Sequence, residues 1–398
     1  MSFANEPRSC AVCGSQAKKP LFRQQFATVG LVTGYTVVVC EQCGFAFADE
    51  IPSRASFELY YRELSKYEYQ QREGRESESD EGRLRQIAAS LEELIPSHNS
   101  RILEIGCASG RLLSLLRQAG FPNANGLDPS PACAAIAAHL YGVPVQTGSV
   151  YDLPKRPEKY DFLILVGVLE HLCDLEGALA AMHGALAENG RIYVDVPDCT
   201  QFADYPDAPY QQFSTEHISF FSSVSLANLM QAQGFAPLFS SRMARGYTEA
   251  SVMPSVHAVF EKAPARTEFE RDTISESKLL EYVRQSEALD RGMRNALDRS
   301  VGGGQPIIVW GVGTLTQRLL ATGGLDGANI SAFVDSNPKY QGQQLRGVPI
   351  LAPEALRPRT EPILICSRVF QQEIERQIRD QLGLPNELLM LYSSREAV

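Results

Sequence analysis

Long apolar runs and an excess of positive charge are both missing from this sequence of 398 residues. The apolar stretch at 162–169 is far shorter than the ~18–20 residues that a membrane-spanning helix needs. Lys and Arg number 37 against 47 Asp and Glu, for a formal net charge of −10, and no basic cluster stands out. Because phosphate backbones are bound by clustered Lys and Arg, we expect no nucleic-acid partner, no membrane segment and a small-molecule substrate.

A secretory signal is also missing, because the opening residues MSFANEPRSC have no basic start followed by an apolar core. We therefore expect a cytoplasmic location. Hydrophobic residues make up 44% and charged residues 21%, which is typical of a soluble globular protein. The length predicts two or three domains rather than one.

Nine cysteines are present, and four of them form two C-x-x-C-G pairs near the N-terminus. Two such pairs are typical of one tetrahedral zinc site with four thiolate ligands, a structural site because no position is left for water. A pair of redox dithiols is the alternative. We expect strands at 31–32 and 35–39 to form a hairpin within a module at residues 1–70, which brings the pairs together. The four predicted ligands are Cys10, Cys13, Cys40 and Cys43.

A charged, helical stretch at 56–94 is followed by alternating strands and helices, the pattern of a parallel α/β sheet. The first strand leads into a turn between Gly106 and Gly110, and the next strand ends at Asp128, where a carboxylate can accept ribose hydroxyl protons. A nicotinamide-binding domain has the same arrangement. Glu104 before the turn would repel a pyrophosphate, so the pattern favours a cationic cofactor.

Residues 104–110 resemble the first motif of class I S-adenosylmethionine-dependent methyltransferases, with Ala108 where many members have a glycine. The resemblance implies a Rossmann-like S-adenosylmethionine domain, which we place at residues 71–264. Residues 148–154 resemble its adenine-side loop. His171 would be either catalytic or, more commonly in this family, part of the loop that closes the pocket. The implied cofactor-binding residues are Glu104, Gly106, Cys107, Gly110, Asp128, Pro129, Ser149, Val150, Val166, Val168 and His171.

The candidate catalytic segment is residues 213–222, an aromatic-rich stretch that contains Glu216 and His217. A sulfonium is already a strong electrophile, so what such an enzyme must supply is a base. With an ordinary pKa of ~6.5, His217 is suited to take a proton near neutrality, and Glu216 to orient it or to bind a substrate hydroxyl. The alternative is that His217 only hydrogen-bonds its own loop. A helix over 224–233 is predicted to follow, with Ser222 or Ser223 as its N-cap.

The cysteine module, the cofactor domain and the Glu-His segment together resemble the zinc-containing sugar C-methyltransferases that act on nucleotide-linked ketosugars. In that family a tyrosine lies three residues before the histidine, and here Ser214 occupies that position. The resemblance implies proton removal next to a ketone and methylation of the resulting enolate. An O- or N-methyltransferase on another sugar or natural-product intermediate is the runner-up, and a non-catalytic cofactor-binding scaffold is the alternative from another class.

A helical linker at 265–300 is predicted to lead into a second glycine-turn unit at residues 301–398. Strands at 306–310, 330–335 and 361–367 predict a second Rossmann-like domain. Its turn, Gly311 to Gly313, lacks the third glycine of the dinucleotide fingerprint, which disfavours NAD. Residues 335–342 are similar to the sugar C-methyltransferases, which implies that this domain holds the substrate's nucleotide; a packing domain is the alternative. The predicted fold class is therefore α/β, with a small zinc module and two Rossmann-like domains.

Overall fold

Three β-sheets, of four, seven and six strands, organise the part of the chain described by a computed structural model: residues 5–27, 32–64, 74–206, 208–248, 251–301 and 303–392. The four-stranded sheet contains β1 (Lys18–Gln25), β2 (Gly34–Cys40) and β3 (Ala46–Asp49), all antiparallel. Its fourth strand, β9 (Ser219–Phe220), belongs to the predicted catalytic segment and pairs with β3. The N-terminal module is thus completed by a strand about 170 residues further along the chain.

The hairpin of this module differs from the predicted one. Its first arm is β1, which opposes β2 from the pair Lys18 and Cys40 to the pair Gln25 and Gly34. The prediction of a strand at 31–32 is wrong for Val32, which lies in the connection, and Leu31 lies outside the described residues. The error has a physical cause. As the edge strand of the sheet, β1 buries only Gln24, so its sequence lacks the apolar alternation that indicates a strand.

The predicted helical stretch at 56–94 contains two helices, α1 (Arg54–Leu64) and α2 (Glu78–Leu94), while residues 65–73 lie outside the described part. The seven-stranded sheet follows. Its strands are β4 (Ile102–Ile105), β5 (Ala124–Asp128), β6 (Val145–Thr147), β7 (Tyr160–Val166), β8 (Leu186–Pro197), β10 (Phe235–Thr248) and β11 (Ser251–Lys262).

The strand order is β10-β11-β8-β7-β4-β5-β6, in which β4 to β8 are parallel and β11 runs antiparallel to β8. The carboxyl ends of the parallel strands therefore meet at one edge, where ligands bind in such sheets. The helices are α3 (Arg111–Gln118), α4 (Pro131–Ile136), α5 (Leu175–Ala185) and α6 (Ser223–Ala232). The Ser222 hydroxyl accepts from Ser225 N–H, which confirms the predicted cap of α6.

The helical linker is shorter at its start than predicted. Helix α7 (Ser275–Val301) begins ten residues after 265, and residues 263–273 have no regular secondary structure. The Asp272 carboxylate accepts the backbone N–H groups of Ile274 and Ser275, which satisfies the donors that a helix start leaves exposed. This side chain sets the beginning of α7, and periodicity alone did not locate it.

The six-stranded sheet has the order β14-β15-β13-β12-β16-β17, with only the short β14 antiparallel to its neighbour. The chain order reverses at β12, because β13 lies on one side of it and β16 on the other. The elements are β12 (Pro306–Trp310), α8 (Thr314–Ala321), β13 (Asn329–Val334), β14 (Gln344–Leu345), β15 (Val348–Leu351), β16 (Ile363–Ile365), α9 (Gln371–Arg376) and β17 (Leu388–Met390). Among the helices of the described ranges, none is long and apolar enough to cross a membrane.

Candidate functional site

The four predicted zinc ligands lie together. The Sγ atoms of Cys10 and Cys43 are 3.4 Å apart and those of Cys13 and Cys40 are 3.5 Å apart. All four Sγ atoms lie within 4.8 Å of one another. The hydrogen bond with Cys43 lowers the pKa of Cys10 to about 6. Four converging thiols are the donor set that structural zinc prefers, so this cluster is able to hold the ion.

A cavity of about 360 Å³ lies at the carboxyl edge of the seven-stranded sheet. Every predicted cofactor-binding residue except Gly110 lines it. Gly110 has a φ of 79°, and a Cβ there would lie 2.8 Å from Val143 Cγ2, so this glycine serves the backbone and packing behind the turn. The predicted residues on the cavity wall are Glu104, Gly106, Cys107, Asp128, Pro129, Ser149, Val150, Val166, Val168 and His171.

The glycine turn is held by the carboxylate of Asp128. Oδ2 accepts the backbone N–H of Ala108 and Oδ1 that of Ser130, both at 2.9 Å. Gly106 has a φ of 71°, and a Cβ there would come within 2.6 Å of Val168 Cγ2. Ala108, which stands where relatives often have glycine, adopts a φ of 46°. A left-handed φ costs an L-residue roughly 1–2 kcal/mol, so the bond to Asp128 holds Ala108 in an unfavourable conformation.

Two buried carboxyls accompany the turn. Glu104 is 5% exposed, and burial, with a smaller contribution from Asp128, raises its pKa to about 8. Glu170 is 3% exposed, and burial, with Asp195, raises its pKa to about 8 as well. The Arg83 guanidinium lowers both pKa values and lines the cavity. Glu104 is therefore poised to ionise when a cation enters.

An acid that sequence reasoning missed lies in the loop at residues 148–154, which was predicted to lie on the adenine side. The Asp152 carboxylate accepts the Ser149 backbone N–H at 3.0 Å and lines the cavity. The Ser149 hydroxyl in turn accepts from Tyr151 N–H. The Ser-x-x-Asp spacing was visible in the sequence as a capping pattern that returns an acid to this loop.

The predicted catalytic residues lie beside the cavity rather than on its wall. His217 is half-buried, and its ring centroid lies 4.9 Å from that of His171, edge to face. The backbone N–H groups of Glu216 and His217 donate to the Ser214 hydroxyl at 3.3 and 3.1 Å. Ser214 therefore fixes the turn that carries His217.

Two tyrosines of α1, which sequence reasoning missed, complete this cluster. The Tyr60 hydroxyl donates to Glu216 Oε1 at 2.8 Å, and the Tyr61 hydroxyl lies 3.1 Å from His171 Nδ1. The carbonyl of Glu216 is 3.0 Å from the same Nδ1. Because a carbonyl can only accept, Nδ1 carries the hydrogen, and Nε2 is the His171 nitrogen that can take up a proton. In the sequence, these tyrosines fit the apolar face of a predicted helix, and nothing there indicates that their hydroxyl groups meet Glu216 and His171.

Residues 79–238 match the family model of a methyltransferase domain, and residues 304–390 match one described as "C2185-like, N-terminal". An uncharacterized 37.1 kDa protein in transposon TN4556 of Streptomyces fradiae is 30% identical over 124 residues, which are 29% of this chain and 36% of that protein. An uncharacterized methyltransferase of Staphylococcus carnosus is 28% identical over 106 residues, 26% of this chain and 50% of that protein. The chain thus spans between a third and half of the length of these curated relatives.

Among solved structures, 1,6-didemethyltoxoflavin-N1-methyltransferase of Burkholderia thailandensis is 20% identical and covers 56% of this chain and 97% of its own, with a TM-score of 0.43. Magnesium protoporphyrin IX methyltransferase of Synechocystis PCC 6803 is 14% identical and covers 53% of this chain and 97% of its own, with a TM-score of 0.38. With TM-scores below 0.5, neither likeness carries an argument about the function of this chain.

Proposed function

We propose that this chain, whose residues 79–238 match the family model of a methyltransferase domain, is a class I S-adenosylmethionine-dependent enzyme that methylates a nucleotide-linked ketosugar at carbon with His217 as the base. The observation that carries the proposal is the cavity at the sheet edge: Glu104, Gly106 and Asp128 line it together with His171, whose ring adjoins that of His217. The residues of the predicted cofactor motif and the histidine proposed as the base are thus joined through His171. The proposal includes a cytoplasmic location and structural zinc at the four cysteines.

The cavity residues fit the cofactor by charge. Asp128 at the end of β5 is placed for ribose hydroxyls, and Glu104 supplies the negative charge that a sulfonium and an ammonium group favour. Ser149, Val150 and Asp152 would surround the adenine side. When bound, S-adenosylmethionine supplies an electrophilic methyl group. The chain itself must remove the proton from the acceptor and hold the reacting groups in position.

The chemistry assigned to the chain is proton removal from the acceptor. His217 would take the proton next to the ketone and leave the electron pair on that carbon. S-adenosylmethionine, when bound, would supply the methyl group that this carbon accepts and would leave as S-adenosylhomocysteine. Glu216, whose carboxylate is held by Tyr60, keeps the His217 turn in place. Tyr61 and His171 lie on the cavity wall, so the Tyr61 hydroxyl is the chain's candidate donor toward a developing enolate oxygen.

His171 is the second candidate for the base. One observation favours it: His171 lines the cavity and His217 does not, and its Nε2 is the nitrogen left to accept a proton. The two assignments separate by substitution, because a base and a residue that only orients it differ in pH dependence.

The nucleotide part of the substrate is assigned to a second Rossmann-like domain at residues 301–398. The strand reversal at β12, beside the Gly311 turn, supports this, since ligands of such sheets bind at the reversal. Burial and the neighbouring Glu216 raise the pKa of the Tyr60 phenol, and Tyr340, in the loop after β13, adds a smaller contribution in the same direction. O- or N-methylation of another small molecule is the alternative, favoured by Ser214, whose hydroxyl is engaged in the turn.

The test uses labelled S-adenosylmethionine with a panel of nucleotide-linked ketosugars and simple sugars, followed by location of the label on carbon, oxygen or nitrogen. His217→Asn should lower turnover by roughly 10²–10⁴-fold, the usual contribution of a general base, with unchanged cofactor affinity. His139→Asn is the matched control, since His139 is exposed and outside the site. If His217→Asn retains wild-type turnover and His171→Asn loses it, His171 is the base. A chain that binds the cofactor but transfers no label to any acceptor would be a scaffold.

A further inference from the structure

Arg8 joins three chain segments through one guanidinium group. Nη1 donates to the carbonyl of Ile218 at 2.8 Å and to that of Ala48 at 3.0 Å, and Nη2 donates to the carbonyl of Cys173 at 3.4 Å. Ala48 belongs to β3 of the N-terminal module, whereas Ile218 and Cys173 belong to the two loops at the candidate site. One side chain therefore connects the module to both loops.

The two loops are those that carry the histidines. Ile218 directly follows His217, and Cys173 lies two residues after His171. The Ile218 N–H donates to the Glu170 carbonyl at 3.0 Å, so the loops also meet through their backbones. The two rings lie 4.9 Å apart beside this junction. Arg8 caps the junction from the side of the N-terminal module.

Arg8 is itself held in place before any substrate arrives. Its backbone N–H donates to Asp49 Oδ1 at 2.7 Å, and its carbonyl accepts from Lys18 Nζ at 2.8 Å. Lys18 and Asp49 form an ion pair at 2.7 Å, and the guanidinium lies 5.5 Å from the centroid of the Phe47 ring. Both the backbone and the guanidinium group of Arg8 are therefore held by the module, two residues before Cys10.

We propose that Arg8 is a positioning residue that holds the His171 and His217 loops at their catalytic spacing, and this inference rests on the proposed function. A planar guanidinium presents several donors in a fixed fork, which an ammonium group does not reproduce. Without it, three carbonyls lose a charge-assisted hydrogen bond, and the loops are free to shift relative to each other. The strand ends and the Gly106 turn of the cofactor cavity do not contact Arg8 and keep their positions, whereas His171 and Cys173 are the part of its wall that can move.

The experiment compares wild type, Arg8→Ala and Arg8→Lys, with Arg23→Ala as the matched control. Arg23 is an exposed arginine of β1 in the same module. In Arg8→Ala, kcat should fall by roughly 100-fold, since about 1 Å of misplacement costs that much, and the affinity for S-adenosylmethionine should fall by a much smaller factor, because the Gly106 turn and Asp128 are untouched. Millimolar guanidinium should restore part of kcat, and sodium at equal ionic strength should not. Arg8→Lys should be intermediate, and Arg23→Ala should match wild type.

Hydrogen exchange supplies a readout that does not need turnover. Amides in peptides covering 214–222 should exchange faster in Arg8→Ala than in wild type, and should slow again with guanidinium. If wild type shows no turnover but this exchange pattern holds, the proposed function fails and the positioning role stands. Unchanged kcat and unchanged exchange in Arg8→Ala overturn the inference. So does a loss of kcat in folded Arg8→Ala that guanidinium does not restore.

Discussion

Two turns of this chain are built on the same plan. In each, a glycine with positive φ follows a buried strand, Gly106 at 71° after β4 and Gly311 at 100° after β12. In each, the next strand leads to an acid whose two oxygens accept backbone N–H groups. Asp335 accepts from Val312 and Asn337 at 2.9 and 2.8 Å, as Asp128 accepts from its own turn.

The turns differ in charge and in length. Glu104 stands two residues before Gly106, whereas Val309 stands two residues before Gly311. Residues 107–110 separate the first glycine from α3, but only 312–313 separate the second from α8. The longer turn carries the cavity and the negative charge that suit a sulfonium cofactor. The shorter one has the apolar Val309 where the first has Glu104, so Asp335, the acid after the next strand, is the carboxylate that the two turns share in position with Asp128.

The largest effect on stability is expected when a carboxylate is introduced before the Gly311 turn, at the position that corresponds to Glu104 before the Gly106 turn. Val309 is fully buried, so Val309→Glu would bury a carboxylate without a partner and lower the free energy of unfolding by roughly 3–5 kcal/mol. Glu104 is tolerated because it faces a cavity and Arg83. Denaturant unfolding at pH 8 measures the difference.

Val309→Gln is the matched control, of nearly the same volume but neutral. It should be less destabilised than Val309→Glu at pH 8, and the two should converge at acid pH, where the glutamate is protonated. Equal stability of both variants at pH 8 would mean that charge is not what distinguishes the two turns.

An intermediate effect, on cofactor affinity, is expected from the ionisation of Glu104 in the first turn. With its pKa raised to about 8, Glu104 is largely protonated at pH 6 and ionised at pH 9. Affinity for S-adenosylmethionine should therefore rise with pH up to about 8. At pH 9, Glu104→Gln should bind roughly 10–100-fold more weakly than wild type, the value of a charge-assisted bond. Calorimetry between pH 6 and 9 measures this affinity. Glu104→Gln is the control, because any pH dependence that it retains comes from the ligand or from other groups. Parallel profiles of the two proteins would refute the role of Glu104.

The same pKa predicts an opposite trend in the stability of the ligand-free protein. A raised pKa means that the folded state holds the proton more tightly than the unfolded state, whose pKa is ~4.3. The free energy of unfolding should therefore fall as pH rises from about 4.3 toward about 8. Glu104→Gln should remove this part of the decline, measured by denaturant unfolding. An equally steep decline in the variant would show that other groups cause it.

The smallest effect on stability is expected at Ala108, the residue with a left-handed φ in the first turn. Ala108→Gly should stabilise the chain by roughly 1 kcal/mol, because glycine adopts a φ of 46° without the cost that alanine bears. Ala119→Gly, at a residue with a φ of −77°, is the control and should destabilise. Thermal unfolding compares the two, and destabilisation by both would show that Ala108 is not strained.

Local signals predicted one region of this molecule well and another poorly. The strand, turn and acid from Glu104 to Asp128 lie within one continuous segment, so their pattern could be interpreted directly, and the cysteine pairs likewise. The junction at Arg8, Tyr61 and His217 joins residues far apart in sequence, and such pairings leave no mark on local periodicity. The pairing of β9 with β3 was hidden for the same reason.

Calorimetric titration with S-adenosylmethionine tests the central claim most directly, with wild type, Asp128→Asn and Asp335→Asn compared at pH 8.5. The expected result is one equivalent bound by wild type, strongly weakened binding in Asp128→Asn, and wild-type affinity in Asp335→Asn. Absence of binding to folded wild type, or loss of binding in Asp335→Asn alone, would contradict the assignment of the cofactor to the Gly106 turn.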